Sequence, residues 1–175
     1  MAPGDIVQHA DYPQWGHGYV IRVKKVSCEI FFRVGGKRKI DANEPLEPSL
    51  ASGVEAEFFA LCASVSPRSW SRGRHSVYAV ELDRAVWKNR AFRERNPGGA
   101  AGGYLYVGVT GLTPEERFGR HRVGTQSGRF VRAHGVRLRL DLVEGFSRLP
   151  FPIATFMESR LAAWLRAQGF GVWQN

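Results

Sequence analysis

Cysteine is nearly missing from this chain: Cys28 and Cys62 are the only two in 175 residues. They lack CxxC spacing and nothing in the sequence pairs them. Neither a disulfide scaffold nor a cysteine-based zinc site is therefore expected. Long apolar runs are missing too. No stretch approaches the ~18 residues a spanning helix requires, so no membrane partner is expected. The opening Met1-Ala2-Pro3-Gly4-Asp5 has no basic segment followed by an apolar one, and a secretory leader is not expected. No repeat of fixed period runs through the chain. Acidic side chains are scarce, sixteen against twenty-five Lys and Arg.

What is there can still bury a core. Hydrophobic residues make up 43% and charged residues 23%, which excludes wholesale disorder. The net charge of +9 attracts polyanions, chiefly nucleic acid, through counterion release. Its distribution is uneven. Residues 1–48 hold seven basic and six acidic side chains, whereas residues 76–175 hold fifteen and eight. Every base of that second stretch except Lys88 is arginine, the better phosphate fork and the better stacking cation. A DNA-binding protein of the cytoplasm, nucleoid-associated in a bacterial cell, is the expectation.

The periodicities predict an α+β chain. Ile6-Val7, Tyr19–Val23 and Cys28–Phe32 are short β-branched and aromatic runs, with a Val-Gly-Gly-Lys turn at 34–37. So many strands in so few residues predict a small curled barrel over 1–45. Residues 46–75 read as a linker with one short helix, Val54–Ala63. Ser64–Ser76 reads as loop. In 76–175, strands are expected at Ser76–Leu82, Tyr104–Thr110 and Val136–Val143, the last from alternation of Leu138, Leu140 and Leu142. Helices are expected over Asp83–Asn96, from Thr113 to about Gly124, and over Pro152–Gln168. Thr113-Pro114-Glu115-Glu116 carries the signature of a capping box with proline at the first helical position.

Three constellations could carry chemistry. Tyr78 and Tyr106 lie on successive strands, and Gly108 would let a ligand or helix approach the backbone. Arg117 and His121, four apart, share one helix face, so an arginine fork can meet a phosphate beside an imidazole. Arg120 and Arg122 flank them. Glu158 borders the apolar stripe of its helix, with Leu161, Ala162 and Leu165 at helical spacing. A carboxylate there loses hydration unless something pairs with it, and a divalent cation is one candidate. A capping role with Thr155 is the other.

Val77-Tyr78, Tyr106-Val107-Gly108, Thr110, Arg117, His121, Glu158 and Asn175 fall in an order that resembles the GIY-YIG nuclease superfamily. The stretch Tyr106-Val107-Gly108-Val109-Thr110-Gly111 with Arg117 and His121 is its most diagnostic part. The resemblance covers residues 76–175 and departs in two places. Ser76 replaces the first glycine of the name motif, and residues 83–103 read as an insertion between the tyrosine motifs. Residues 1–45 resemble small Tudor-like (SH3-like) domains found at helicase C-termini. There the matching stretches are Pro3-Gly4-Asp5-Ile6-Val7-x-His9, Trp15-Gly16-x-Gly18-x-Val20 and Gly36-Lys37-Arg38-Lys39-Ile40.

These resemblances imply an SH3-like barrel followed by a three-stranded antiparallel sheet flanked by helices. They imply a metal-dependent endonuclease on DNA, with Glu158 holding a single Mg²⁺ or Mn²⁺. Tyr78 would be general base, with help from Tyr106 and His121, and Arg117 would stabilise the transition state. Gly108, Thr110, Arg120, Arg122, Arg129, Arg132 and Asn175 would line the substrate. Residues 1–45 would bind a protein or nucleic acid. The alternative is a catalytically inactive adaptor that binds nucleic acid on the same fold.

Overall fold

The computed structural model describes residues 1–50, 54–124 and 128–174. The chain divides into two compact units, each assembled from more than one stretch of sequence. The first takes residues 1–73 and 144–153, the second residues 74–143 and 154–175. Both mix helix and sheet, and the class is α+β.

The first unit is built on β1 (Ile6–His9), β2 (Gly18–Val23), β3 (Ser27–Phe32), β4 (Gly36–Asp41) and β5 (Leu46–Pro48). They form one antiparallel sheet in the order β4-β3-β2-β1-β5. Alternate residues supply the interior: Val7, Val20, Cys28, Ile30, Phe32 and Ile40 are buried together, with Trp15 and Leu46 at the margin. Leu46–Pro48, which reads as the start of the linker, instead pairs with β1 and completes the sheet.

Alternation fails at Phe31, which is buried although it points away from Ile30 and Phe32. Its ring meets Phe58 at 5.6 Å, Trp70 at 5.6 Å and Phe146 at 6.3 Å. Phe58 comes from α1 (Val54–Ser64) and Trp70 from α2 (Pro67–Ser71). The second of these helices stands where the sequence reads as loop. Ser66 caps it and Pro67 opens it, but five residues are too few to show a helical period.

Phe146 belongs to a segment far along the chain that finishes this unit. The Lys37 backbone N–H donates to the Gly145 carbonyl at 2.8 Å, and Lys37 Nζ donates to the Arg148 carbonyl at 2.7 Å. At Gly36, which has φ +72°, a Cβ would come within 2.6 Å of the Gly145 backbone. Glycine is required there twice over, for the turn and for the close approach.

In the second unit the central pair is β6 (Ser76–Leu82) against β7 (Tyr104–Thr110), antiparallel from Ser76↔Thr110 to Leu82↔Tyr104. Between them lie a 3₁₀ turn at Arg84–Lys88 and α3 (Arg90–Glu94). The single helix expected over 83–96 is thus two short pieces. Asp83 caps the first by accepting from the Ala85 N–H, and Asn89 caps the second by accepting from the Phe92 N–H. Two cap residues six positions apart restart the helix.

After β7 come α4 (Pro114–Arg122), α5 (Arg129–His134) and β8 (Gly135–Leu138). The chain then turns through a 3₁₀ segment, Leu140–Leu142, and continues into α6 (Phe151–Ala167) and β9 (Gly171–Gln174). The sheet order is β8-β6-β7-β9. Two expectations are corrected here. The sheet has four strands rather than three, and it is mixed, because β9 runs parallel to β7. The strand expected over 136–143 stops at Leu138. The Arg139 N–H makes a last bond to the Ala79 carbonyl, and Leu140 beyond it is exposed. Its leucine alternation therefore does not mark a buried face.

Candidate functional site

Register places the two phenols. Tyr78 opposes Gly108 and Val80 opposes Tyr106, so both tyrosines project from one face of the sheet, with ring centroids 5.8 Å apart. Both are fully buried. A Cβ on Gly108 would lie 2.8 Å from the Tyr106 ring and 3.0 Å from the Tyr78 ring. Gly108 makes room for the pair, which is a steric role rather than a contact with ligand.

Helix α4 brings the next two groups. Its start is over-determined: Thr113 Oγ1 accepts from the Glu116 N–H, the Glu116 carboxylate accepts from the Thr113 N–H, and Pro114 follows the cap. One turn on, Arg117 is half-buried. A further turn brings His121, fully buried, with Nε2 2.9 Å from the Tyr78 oxygen. Its other nitrogen, Nδ1, accepts the Gly128 backbone N–H at 3.0 Å. An imidazole nitrogen that accepts carries no proton, so the neutral ring holds its hydrogen on Nε2 and donates it to Tyr78. Burial, and after it the Arg117 charge, drop the His121 pKa to about 4, so the ring stays neutral at physiological pH. His121 is thus placed as a donor to Tyr78.

The phenols differ in their surroundings. Burial raises the Tyr78 pKa, while hydrogen bonds from Tyr106 and Arg117 oppose that rise. Burial and the Tyr78 hydroxyl raise Tyr106 further. Of the two, Tyr78 is therefore the phenol whose ionised form its hydrogen-bonding neighbours favour. The charge of Glu158 raises both, which puts the carboxylate within electrostatic reach of the pair.

Glu158 lies on α6 between Met157 and the buried Leu161 and Ala162, at 8% exposure. Burial lifts its pKa to about 7. No hydrogen bond or ion pair holds its carboxylate among the described residues. Arg117 Nε is also buried with no partner. A carboxylate held by no hydrogen bond or ion pair among the described residues and an unsatisfied guanidinium nitrogen, both acting on Tyr78, can receive a cation and an anion respectively. Among the described residues no group of three or more His, Cys, Asp or Glu converges on a metal position. A cation held here would therefore have Glu158 as its carboxylate ligand, a hard oxygen donor suited to Mg²⁺ or Mn²⁺.

The remaining expected residues fall into three places. Thr110 is buried and its Oγ1 accepts the Leu112 N–H, closing the turn that leads to α4. Arg120 and Arg122 are exposed on α4, and Arg129 and Arg132 on α5. Asn175 lies outside the described residues. Gly128 is absent from any sequence reading, because it acts through a backbone N–H that every residue but proline possesses.

A family model described as a protein of unknown function (DUF3553) matches residues 1–44, within the first unit. No curated protein and no solved structure matches the chain. Among the described residues no helix is long and apolar enough to cross a membrane.

Proposed function

We propose that the second unit is a GIY-YIG-type endonuclease that hydrolyses phosphodiester bonds in DNA with one divalent cation. We further propose that the first unit is an SH3-like (Tudor-like) module that binds protein or nucleic acid. The observation that carries the nuclease reading is convergence. Tyr78, Tyr106, Arg117, His121 and Glu158 span eighty positions of sequence yet act on one another in a single buried cluster. These are the positions at which the sequence resembles the superfamily. The net charge of +9 supplies the attraction for the polyanion.

Each side chain then has work that follows from its surroundings. Tyr78 accepts a hydrogen bond from His121, which orients its oxygen. Burial keeps the phenol protonated at neutral pH, so it would take the proton of the attacking water only after releasing its own to solvent, a release that the charge of a bound cation would favour. Arg117 offers its unpartnered Nε–H toward phosphate oxygens and stabilises the charge that grows on them. Glu158 would hold Mg²⁺ or Mn²⁺, which when bound supplies a Lewis acid for the phosphate and leaving oxygen. Tyr106 and His121 keep Tyr78 in place.

Supercoiled plasmid incubated with the full chain tests this reading. Nicking with Mg²⁺ or Mn²⁺ that ceases in EDTA is expected. Nicking that continues unchanged in chelator overturns the metal assignment. DNA binding with no cleavage under any divalent cation favours an adaptor on a nuclease fold.

A further inference from the structure

The edge strand β9 carries an arrangement that the proposed chemistry does not use. Trp173 is the register partner of Tyr106 on the adjacent parallel strand, so the two side chains leave the same face of the sheet. The Trp173 ring packs on Phe130 at 4.3 Å and stacks near Phe92 at 6.4 Å. Its indole is half-buried and fixed from below. Two exposed arginines lie over it. The Arg95 guanidinium sits 4.3 Å from the ring centroid, and Arg129 sits 5.3 Å from it and 4.7 Å from Phe130.

Neither arginine has a carboxylate within ion-pair distance among the described residues. Arg95 is tied by one bond, Nη1 donating to the Gln174 carbonyl at 2.8 Å. Other arginines of this unit are neutralised: Arg90 by Glu94, Arg137 by Glu81, and Arg139 by Glu81 and Asp141. The charge around β9 is instead concentrated. Arg166, which donates to the Val172 carbonyl, is held below its ordinary pKa by burial and then by the Arg95 charge. Position links this group to the candidate site. Arg129 follows Gly128, whose N–H orients His121 and which itself lies against the Tyr106 ring.

We infer that Arg95 and Arg129, held on Trp173, form a backbone-phosphate clamp for the polynucleotide strand flanking the scissile bond. The inference rests on the nucleic-acid reading above. An arginine on an open surface loses rotamer freedom when it grips a phosphate. One already stacked on an indole has lost much of it, so more of the contact energy remains for binding. Both guanidinium groups are on exposed residues and can offer N–H donors to phosphate oxygens.

The test uses fluorescence anisotropy with fluorescein-labelled 20-nucleotide single strands and duplexes, without divalent cation, on the full chain. Three variants are compared with the parent: Arg129→Gln, Arg95→Gln/Arg129→Gln, and the charge-retaining Arg95→Lys/Arg129→Lys. The double glutamine variant should bind about tenfold more weakly and lose about 1–2 from the slope of log affinity against log salt. The lysine variant should keep the slope and lose part of the affinity. Arg129→Gln alone should show half the slope change. It guards against loosening of β9, because Arg129 makes no hydrogen bond among the described residues, and unchanged thermal unfolding confirms its fold. Unchanged affinity and slope in all three, while Arg120→Gln/Arg122→Gln lowers both, would overturn the clamp and leave the nucleic-acid reading standing. A parent chain that binds neither oligonucleotide overturns both.

Discussion

The two units differ in how the polar groups of their interiors are paired. In the first, His9 is fully buried and both ring nitrogens are used: Nε2 meets the Glu44 carboxylate at 2.8 Å and Nδ1 accepts the Asp11 N–H at 3.2 Å. His17 and Arg33 both reach the carboxylate of Glu55 as ion pairs, although Arg33 Nε makes no hydrogen bond of good geometry. In the second, His121 is equally buried and equally satisfied, but Arg117 Nε has no hydrogen-bond partner, and no hydrogen bond or ion pair holds the Glu158 carboxylate among the described residues. A few such groups occur in folded proteins, and completion by something outside the chain is one reason for them. On the proposed function, the groups left unpaired around Tyr78 are those a ligand would complete.

The sharpest way to break that contrast is Glu158→Gln. Cleavage should fall by about a thousandfold, the scale seen when one electrostatic stabiliser is removed. Stability without cation should rise, not fall. The raised carboxyl pKa means the folded protein binds the proton more tightly than the unfolded one. Parent stability therefore declines as pH climbs from about 4.5 to the folded value of about 7. The glutamine variant should not show that decline. A pH series of thermal unfolding curves checks it, and a variant less stable than the parent at pH 8 would place Glu158 among the structural groups. The same titration predicts that activity rises with pH through about 7, as the ligand loses its proton.

Next in size is Arg117→Ala, for which cleavage should drop about a hundredfold while oligonucleotide affinity changes by only a few fold. Equal losses in rate and affinity would make it one more phosphate-binding arginine. Gly108→Ala should follow. The added methyl meets both tyrosine rings, costs about 1–3 kcal/mol and displaces Tyr78, so the turnover rate falls while affinity holds. Urea unfolding beside the cleavage assay separates the two effects.

The smallest effect on cleavage is expected from Gly36→Ala in the first unit. The left-handed turn and the Gly145 backbone both resist a Cβ there, and about 2 kcal/mol of stability should be lost. Cleavage by folded protein should be unchanged. A loss of turnover at full folding would show that the first unit helps build the site.

Much of the site was legible because its signals are local. A capping box needs three residues between its partners, and Arg117 and His121 need one helical turn. The helix of Glu158 was readable from its apolar stripe over seventeen residues, Phe151–Ala167. The strands β6 and β7 were readable from two strong patterns, but their register was not. Short elements were not legible: α2 and α5 have too few residues to show a period. Leu138–Leu142 displayed a strand pattern, but only the first part of it found a partner strand.

The sequence by itself therefore determined the class, the basic second half, and which side chains carry reactive groups. Those depend on composition and on contacts within a few residues. Only the tertiary structure decided that β9 returns parallel to β7, and that residues 144–153 finish the first unit. It alone set the tautomer of His121, through the N–H of Gly128, and left Arg117 Nε buried without a partner. Such outcomes depend on which distant backbone groups meet after the chain closes its long loops, and on which polar atoms burial then strands. No spacing within the sequence encodes either.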